Sequence, residues 1–469
     1  MTRSKDFLRN LLKRLRWAFL LVSLCLPGLC RAGNAQVQLP QAPIHTYLLA
    51  NGLEVVMAED HEAPVVAVQV WYHVGSKDER PGMSGFAHLF EHLMFDGTTN
   101  ILPGAFSNYI VRAGGIDNAY TTGDVTVFWE TVPANDLPVA LWLEADRMRN
   151  LRITESTFNN ERAVVEEEMR QRFTNQPYGG VIESLYAHAF TVSPYRHRPI
   201  GSVQDLNNAR LSEVQSFYDA YYVPNNATLV LAGDFDEKQA EGWVQHYFGP
   251  VKGSGVAIPR NYPQEPPQTA ERMVALRKDV ALPAFVEGYH IPADGTPDSY
   301  PLRLAAKLLA GGDSSWIYRK LVYSKQMAMQ VDCEGDFTEE PNLFFIMAVM
   351  NPGNTPHQGE AEIESILGRL KRGAISKAEL ERAKNQILRD LILERESARS
   401  RADAIGYDTV VLKNPDLYNT EISRFMQVTA ADIQRAAQKY FVPQNLTLVE
   451  VYPRNGGVRS FKPTVERGK

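Results

Sequence analysis

Within Gly85-Phe86-Ala87-His88-Leu89-Phe90-Glu91-His92-Leu93-Met94-Phe95, two imidazoles stand four residues apart, with a carboxylate just before the second. On a helix, His88 and His92 share one face and Glu91 lies beside them. Two histidines at that spacing can bind one zinc ion, and a carboxylate that is not itself a ligand can act as general base toward water. Leu89, Phe90, Leu93, Met94 and Phe95 can bury the rest of the helix and hold the imidazoles in a dry, rigid setting. The competing reading is a helix carrying two partly buried structural histidines.

A catalytic zinc needs a third protein ligand and an open fourth position, so a further carboxylate or imidazole is expected from another helix. The segment Glu161-Arg162-Ala163-Val164-Val165-Glu166-Glu167-Glu168-Met169 is helical in pattern, with Val164, Val165 and Met169 available to pack. Glu161 and Glu168 fall on one face after two turns. A solvated helix face is the alternative for such a charge run.

The elements that position these groups occur twice. Residues 217–233 read FYDAYYVPNNATLVLAG and residues 436–451 read AAQKYFVPQNLTLVEV, so that Pro224 and Pro443 align at an offset of 219. Glu161-Arg162-Ala163 recurs as Glu381-Arg382-Ala383 at an offset of 220, and Trp71-Tyr72-His73-Val74 is echoed by Gly288-Tyr289-His290-Ile291 at an offset of 217. Each copy opens with β-rich segments (residues 53–56 and 65–71; residues 285–291), continues with helices, and closes on V-P-x-N and an apolar strand (residues 227–232; residues 446–451). The expected fold is α+β, with two homologous domains at residues 36–250 and 273–455. A linker interrupted by Gly and Pro fills residues 251–272, and a loose tail residues 456–469. The offsets put Ala305, Leu308 and Leu309 opposite His88, Glu91 and His92, and Leu388 opposite Glu168, so the second domain is expected to hold no metal.

The H-x-x-E-H motif in its Gly-Phe-Ala-His-Leu-Phe-Glu-His-Leu-Met-Phe setting resembles the pitrilysin/insulinase family of inverted zinc peptidases, which includes the mitochondrial processing peptidases. Gly114-Gly115-Ile116-Asp117-Asn118-Ala119-Tyr120-Thr121 resembles the family's G-G-x-x-N-A-x-T strand. Leu143-Glu144-Ala145-Asp146-Arg147-Met148 and residues 194–201 match as well, so the resemblance covers nearly the whole chain beyond residue 35. It implies two α/β-sandwich domains related by duplication, enclosing a chamber, with one Zn2+ per chain and peptide substrates. Glu168, 76 residues beyond His92, takes the place of the family's third zinc ligand, the last Glu of an E-R-x-V-V-x-x-E segment. Glu161 matches the family's other characteristic acid, a catalytic helper that orients a ligand or the water network. Asn118 and Ala119 fall on the strand whose edge pairs with extended substrate, and Glu91 is the general base.

This chain departs from the family in the second half. Where many members carry L-R-E-K-Q-G-L-A-Y-S-V, it reads Leu321-Val322-Tyr323-Ser324-Lys325-Gln326-Met327-Ala328-Met329-Gln330-Val331, so Val322 and Met329 replace an Arg and a Tyr that help stabilise the oxyanion. The expectation is a heterodimer with a homologous zinc-less chain that supplies Arg and Tyr. Tyr318, Arg319 or Tyr323 could substitute, which keeps a homodimer open. The alternative function is a non-catalytic peptide-binding or structural subunit of the same family; a zinc hydrolase of non-peptide substrates fits poorly with the strand-pairing segment.

Composition bounds the setting. A chain of 469 residues, 44% hydrophobic and 22% charged, is that of a folded protein of two or more domains. Arg3, Lys5, Arg9, Lys13, Arg14 and Arg16 precede the apolar run from Trp17 to Leu26, and small residues follow near Ala32 and Ala35, the pattern of a cleaved secretory signal over residues 1–35. The run is short for a transmembrane helix, although an uncleaved anchor is the competing reading. These residues hold seven Lys/Arg and one Asp, a net +6 within a formal total of −6, so the mature chain stands at −12. An acidic chain gives no indication of a nucleic-acid groove. Cys25 and Cys30 fall in the signal and leave Cys333 alone, which fits a bacterial periplasmic enzyme without disulfides and without a membrane anchor once the signal is cut.

Overall fold

A computed structural model describes residues 41–260 and 262–454; the expected signal at residues 1–35 and the expected tail at 456–469 lie outside the described residues. Apolar, β-branched stretches in the first half build six strands, β1 (His45–Leu48), β2 (Glu54–Glu59), β3 (Val65–Tyr72), β4 (Ile116–Thr121), β5 (Thr126–Pro133) and β6 (Ala227–Gly233). They pair in the order β1-β2-β6-β3-β5-β4. The second half adds β7 (Arg272–Lys278), β8 (Ala284–Ile291), β9 (Ala328–Gly335), β10 (Asn342–Met350) and β11 (Leu446–Pro453) in the order β7-β11-β8-β10-β9. Strand β3 reads VVAVQVWY and is buried over most of its length, the pattern of a strand covered on both faces.

With β1 set aside, the two orders correspond strand for strand. In both sheets the first two strands of the order pair in parallel, β2 with β6 and β7 with β11, and the remaining pairs are antiparallel. The repeated V-P-x-N has a repeated task. Asn226 Nδ2 donates to the carbonyls of Tyr221 (2.8 Å) and His73 (3.2 Å), and Asn445 Nδ2 donates to those of Tyr440 (2.8 Å) and His290 (3.0 Å). Each asparagine thus ties the end of a helix to the end of the strand beside it. The architecture is α+β, two α/β-sandwich domains related by internal duplication.

Six helices organise the site and the join. In the first half α1 (Phe86–Leu93) packs on α2 (Glu155–Met169), followed by α3 (Val181–Ala189); in the second, α4 (Ser299–Ala310) packs on α5 (Lys377–Leu393), followed by α6 (Ala398–Val410). The halves exchange one helix each. Val181, Leu185, Tyr186 and Ala189 of α3 bury against Val286, Phe345 and Val449 of the second sheet, while Ala398, Ala402 and Ile405 of α6 bury against Ala67, Trp71 and Val230 of the first. Two glycines allow the close approach: a Cβ on Gly406 would stand 2.2 Å from Trp71 Cε2, and one on Gly288 would stand 2.7 Å from Leu185 Cδ1.

Residues 251–271 hold neither helix nor strand among the described residues, yet they form a strap rather than a free tether. Arg260 donates to Asp78 Oδ1 and Asn226 Oδ1, each at 2.6 Å, and the Glu265 carboxylate accepts the backbone N–H groups of Thr191, Val192 and Ser193 at 2.8–3.0 Å.

Candidate active site

Helix α1 starts where the backbone turns left-handed at Gly85 (φ 99°), and a Cβ there would press to 2.9 Å on the Ile200 carbonyl oxygen. The first-turn donors that such a start leaves free are taken by Glu79, whose carboxylate accepts Gly85 N at 2.9 Å and Ala87 N at 2.8 Å. Phe86, Leu89, Phe90 and Leu93 are buried, and the Phe90 ring lies against Phe217, Tyr218 and Tyr222 with centroids 5.7, 5.9 and 4.9 Å away. The aromatic face fixes the rotation of the helix, and with it the direction of the histidines.

Helix α2 begins with the Thr154 hydroxyl accepting Thr157 N, and buries Phe158 and Val165. Met169 packs against the core as expected from the sequence, but Val164 does not and remains exposed. Each residue advances the helix by about 100°, so once Phe158 and Val165 face the core and Glu161 and Glu168 face α1, position 164 turns to solvent.

The expected ligands converge. Glu168 Oε2 lies 3.3 Å from His92 Nε2 and 3.7 Å from His88 Nε2, and one donor atom from each residue falls within 4.8 Å of the others. Glu161 Oε2 stands 3.3 Å from the far nitrogen of His92, Nδ1. The equivalent nitrogen of His88 has no protein partner among the described residues. Two imidazole nitrogens and a carboxylate oxygen this close together form a donor set of the type that zinc accepts.

Burial dominates the electrostatics. The His88 imidazolium is pushed down to about 3 by desolvation, helped by His92 and Arg172, so His88 is held neutral, as a ligand must be. Burial pulls His92 down too, but Glu161, Glu91 and Glu168 outweigh it and the net direction is up. Desolvation raises the Glu91 carboxyl, against the Thr121 hydroxyl and His92, which favour its charged form.

Thr121 is a residue whose role sequence reading missed: its hydroxyl donates to Glu91 Oε2 at 2.7 Å. It ends β4, which pairs with β5 on one side and lies at the end of its sheet. Asn118 and Ala119 sit on that strand; Asn118 is exposed, and its Oδ1 accepts Ala119 N at 2.8 Å. The free edge can take an extended chain as an added strand. In the second half, Ala305, Leu308 and Leu309 are buried apolar residues where the first half has its histidines and base. Val322 packs into the second core, while Tyr323 and Met329 are exposed.

Residues 54–200, which include His88, Glu91, His92, Asn118, Ala119, Thr121, Glu161 and Glu168, match the family model described as Insulinase (Peptidase family M16), and residues 208–387 match the model described as Peptidase M16 inactive domain. The chain is 33% identical to the zinc protease PqqE of Helicobacter pylori over 438 residues, 92% of this chain and 98% of that protein. It belongs to the M16 insulinase family of peptidases. Another relative is the probable mitochondrial-processing peptidase subunit beta of Arabidopsis thaliana, 24% identical over 429 residues, 90% of this chain and 80% of that one. Among solved structures, a protease from Helicobacter pylori superimposes with a TM-score of 0.85 at 32% identity, covering 88% of this chain and all of that one. An M16 inactive domain from Pseudomonas fluorescens, at 14% identity and a TM-score of 0.78, shares the fold.

Proposed function

We propose that this M16 chain is a zinc-dependent endopeptidase that hydrolyses extended peptides or unfolded polypeptide segments inside a chamber. One observation carries the reading: His88, His92 and Glu168 converge, with Glu91 beside them and fastened through Thr121 to the edge strand β4. His88, His92 and Glu168 would hold one zinc ion, with Glu161 steadying His92 from behind. When bound, zinc supplies Lewis acidity that acidifies water and polarises a peptide carbonyl. Glu91 takes the proton of the attacking water and returns it to the leaving amine. The open edge of β4 at Asn118 and Ala119 pairs with the peptide main chain, which gives affinity, and the neighbouring side-chain pockets give selectivity.

A partner belongs to the same reading. Val322 and Met329 offer no strong hydrogen-bond donor to a tetrahedral oxyanion, which favours a heterodimer with a zinc-less homologous chain that brings Arg and Tyr. A homodimer would draw on Tyr318, Arg319 or Tyr323 instead. Export to the periplasm is part of the proposal too, supported by the basic and then apolar residues of the first 35 positions.

The test is metal content and cleavage of a fluorogenic peptide mixture by the mature chain, alone and with the product of the neighbouring gene, beside Glu91→Gln. About one zinc per chain, with cleavage lost in Glu91→Gln, is expected. Full activity of the purified chain alone rejects the heterodimer. Stoichiometric zinc with no cleavage in any combination rejects the peptidase in favour of a peptide-binding subunit.

A further inference from the structure

The two carboxylate oxygens of Glu168 have different neighbours. Oε2 faces the imidazole pair, whereas Oε1 is 2.9 Å from a terminal nitrogen of Arg172, one helical turn further on. Arg172 sits in residues 170–174, where the chain that leaves α2 widens from α to π geometry. Such turns appended to α-helices occur frequently at functional sites.

Two observations tie the arginine to the ligand set rather than to the fold. The offset of 220 puts Leu388 opposite Glu168 and Ile392 opposite Arg172, so the half without ligands lacks both members of the pair, although Glu161 and Arg162 recur there as Glu381 and Arg382. The corresponding end of α5 stays α-helical as far as Leu393, so the second half has no π turn at this position, although it has one elsewhere, at Tyr318–Ser324. Arg172 has no packing role that would explain it, since its side chain is 67% exposed.

We propose that Arg172 is a positioning residue that makes Glu168 offer a single oxygen to the metal, an inference that rests on the zinc-peptidase reading above. A glutamate free to rotate about its side-chain bonds can present both oxygens to a cation and fill the position that water needs. With Oε1 engaged by the guanidinium, Oε2 alone remains, and the protein supplies three donors instead of four. The contact is a single ion pair between one guanidinium nitrogen and Oε1, and its charge holds that oxygen turned away from the imidazole pair. Repulsion between the guanidinium and a dication is damped by the solvent around Arg172.

The experiment uses the full mature chain as wild type, Arg172→Ala and Arg172→Lys, each stripped by a chelator. Zinc affinity is measured by competition with a chromophoric chelator, and the visible spectrum is recorded after reloading with Co2+. Arg172→Ala is expected to bind zinc about tenfold more weakly, in the range of other changes behind a metal ligand, and to show weaker Co2+ bands as a fifth ligand atom enters. Arg172→Lys is expected to recover part of both. Wild-type affinity together with a wild-type Co2+ spectrum in Arg172→Ala overturns the role of Arg172 and leaves the zinc reading standing. A wild-type chain that takes up no metal overturns the zinc reading, and this inference with it.

Discussion

The hydroxyl of Thr121 donates a 2.7 Å hydrogen bond to Oε2 of Glu91, joining the last residue of an open sheet edge to the side chain read as the general base. The strand that would receive substrate therefore also aims the base. Thr121→Val keeps the shape and removes the donor, and kcat is expected to fall about tenfold, part of the roughly 10²–10⁴ that general-base catalysis contributes. Zinc content and KM should stay near wild type, and Thr121→Ser should restore most of the rate. Steady-state kinetics with metal analysis checks this; an unchanged kcat in Thr121→Val would mean that Glu91 is aimed by other contacts.

The exchanged helices make a prediction about the join. A Cβ on Gly406 would come within 2.2–2.5 Å of three atoms of the Trp71 indole, a large ring that is itself buried and cannot move aside. Gly406→Ala is expected to lose about 1–3 kcal/mol, the usual penalty of overpacking. Gly242→Ala is the control: it lies in the helix Glu237–Phe248 with open space around its Cβ, and should be neutral or gain up to about 1 kcal/mol from helix propensity. Denaturant unfolding of both variants decides, and equal stabilities would refute the close approach.

Helix α1 was legible because it is short, strongly patterned and carries its chemistry at one spacing. The duplication was legible because V-P-x-N holds its residues for a bonding reason, shown by Asn226 and Asn445. Glu168 was legible by resemblance; periodicity put it on the face of Glu161 but left a solvated face open as well. The helix exchange was not legible, because the apolar stripes of α3 and α6 say which face is buried and not which sheet buries it. Thr121 and Arg172 escaped for a related reason. One lay inside a strand motif and the other beyond a charge run, and their partners are set by tertiary contact alone.

The segment Leu143 to Met148, read as part of the resemblance, has a structural task. Arg147 is fully buried; it donates from Nε to Glu144 at 3.0 Å and from a terminal nitrogen to Glu130 at 2.9 Å, and its guanidinium lies 4.1 Å from the centre of the Phe106 ring. Arg147→Leu would strand two buried carboxylates, with an expected loss of about 3–5 kcal/mol. Adding Glu130→Gln and Glu144→Gln should return part of it, because the removed charge then has no unpaired counterpart. A thermal melt of the single and triple variants tests this; a triple variant no more stable than Arg147→Leu would assign the loss to packing instead.

A cluster of carboxylates in the second half gives stability a pH dependence of known sign. Glu287 on β8 is buried, and desolvation, assisted by Glu364 and Glu271 and opposed by Tyr289 and Lys371, pushes its carboxyl up to about 8. Glu360, in the helix Pro356–Lys371, is likewise raised to about 8 by burial and then by Glu450, which is itself buried. Between the ordinary glutamate value of about 4.3 and about 8, the folded chain keeps protons that the unfolded chain has released. Folding is therefore favoured less as pH rises through that window, and the loss is complete above it. The double variant Glu287→Gln/Glu360→Gln cannot ionise at either position, so its melting temperature should fall less between pH 5 and pH 9 than that of wild type, by about 2 °C or more. Parallel melting curves across that range would show that neither carboxyl titrates abnormally in the folded chain.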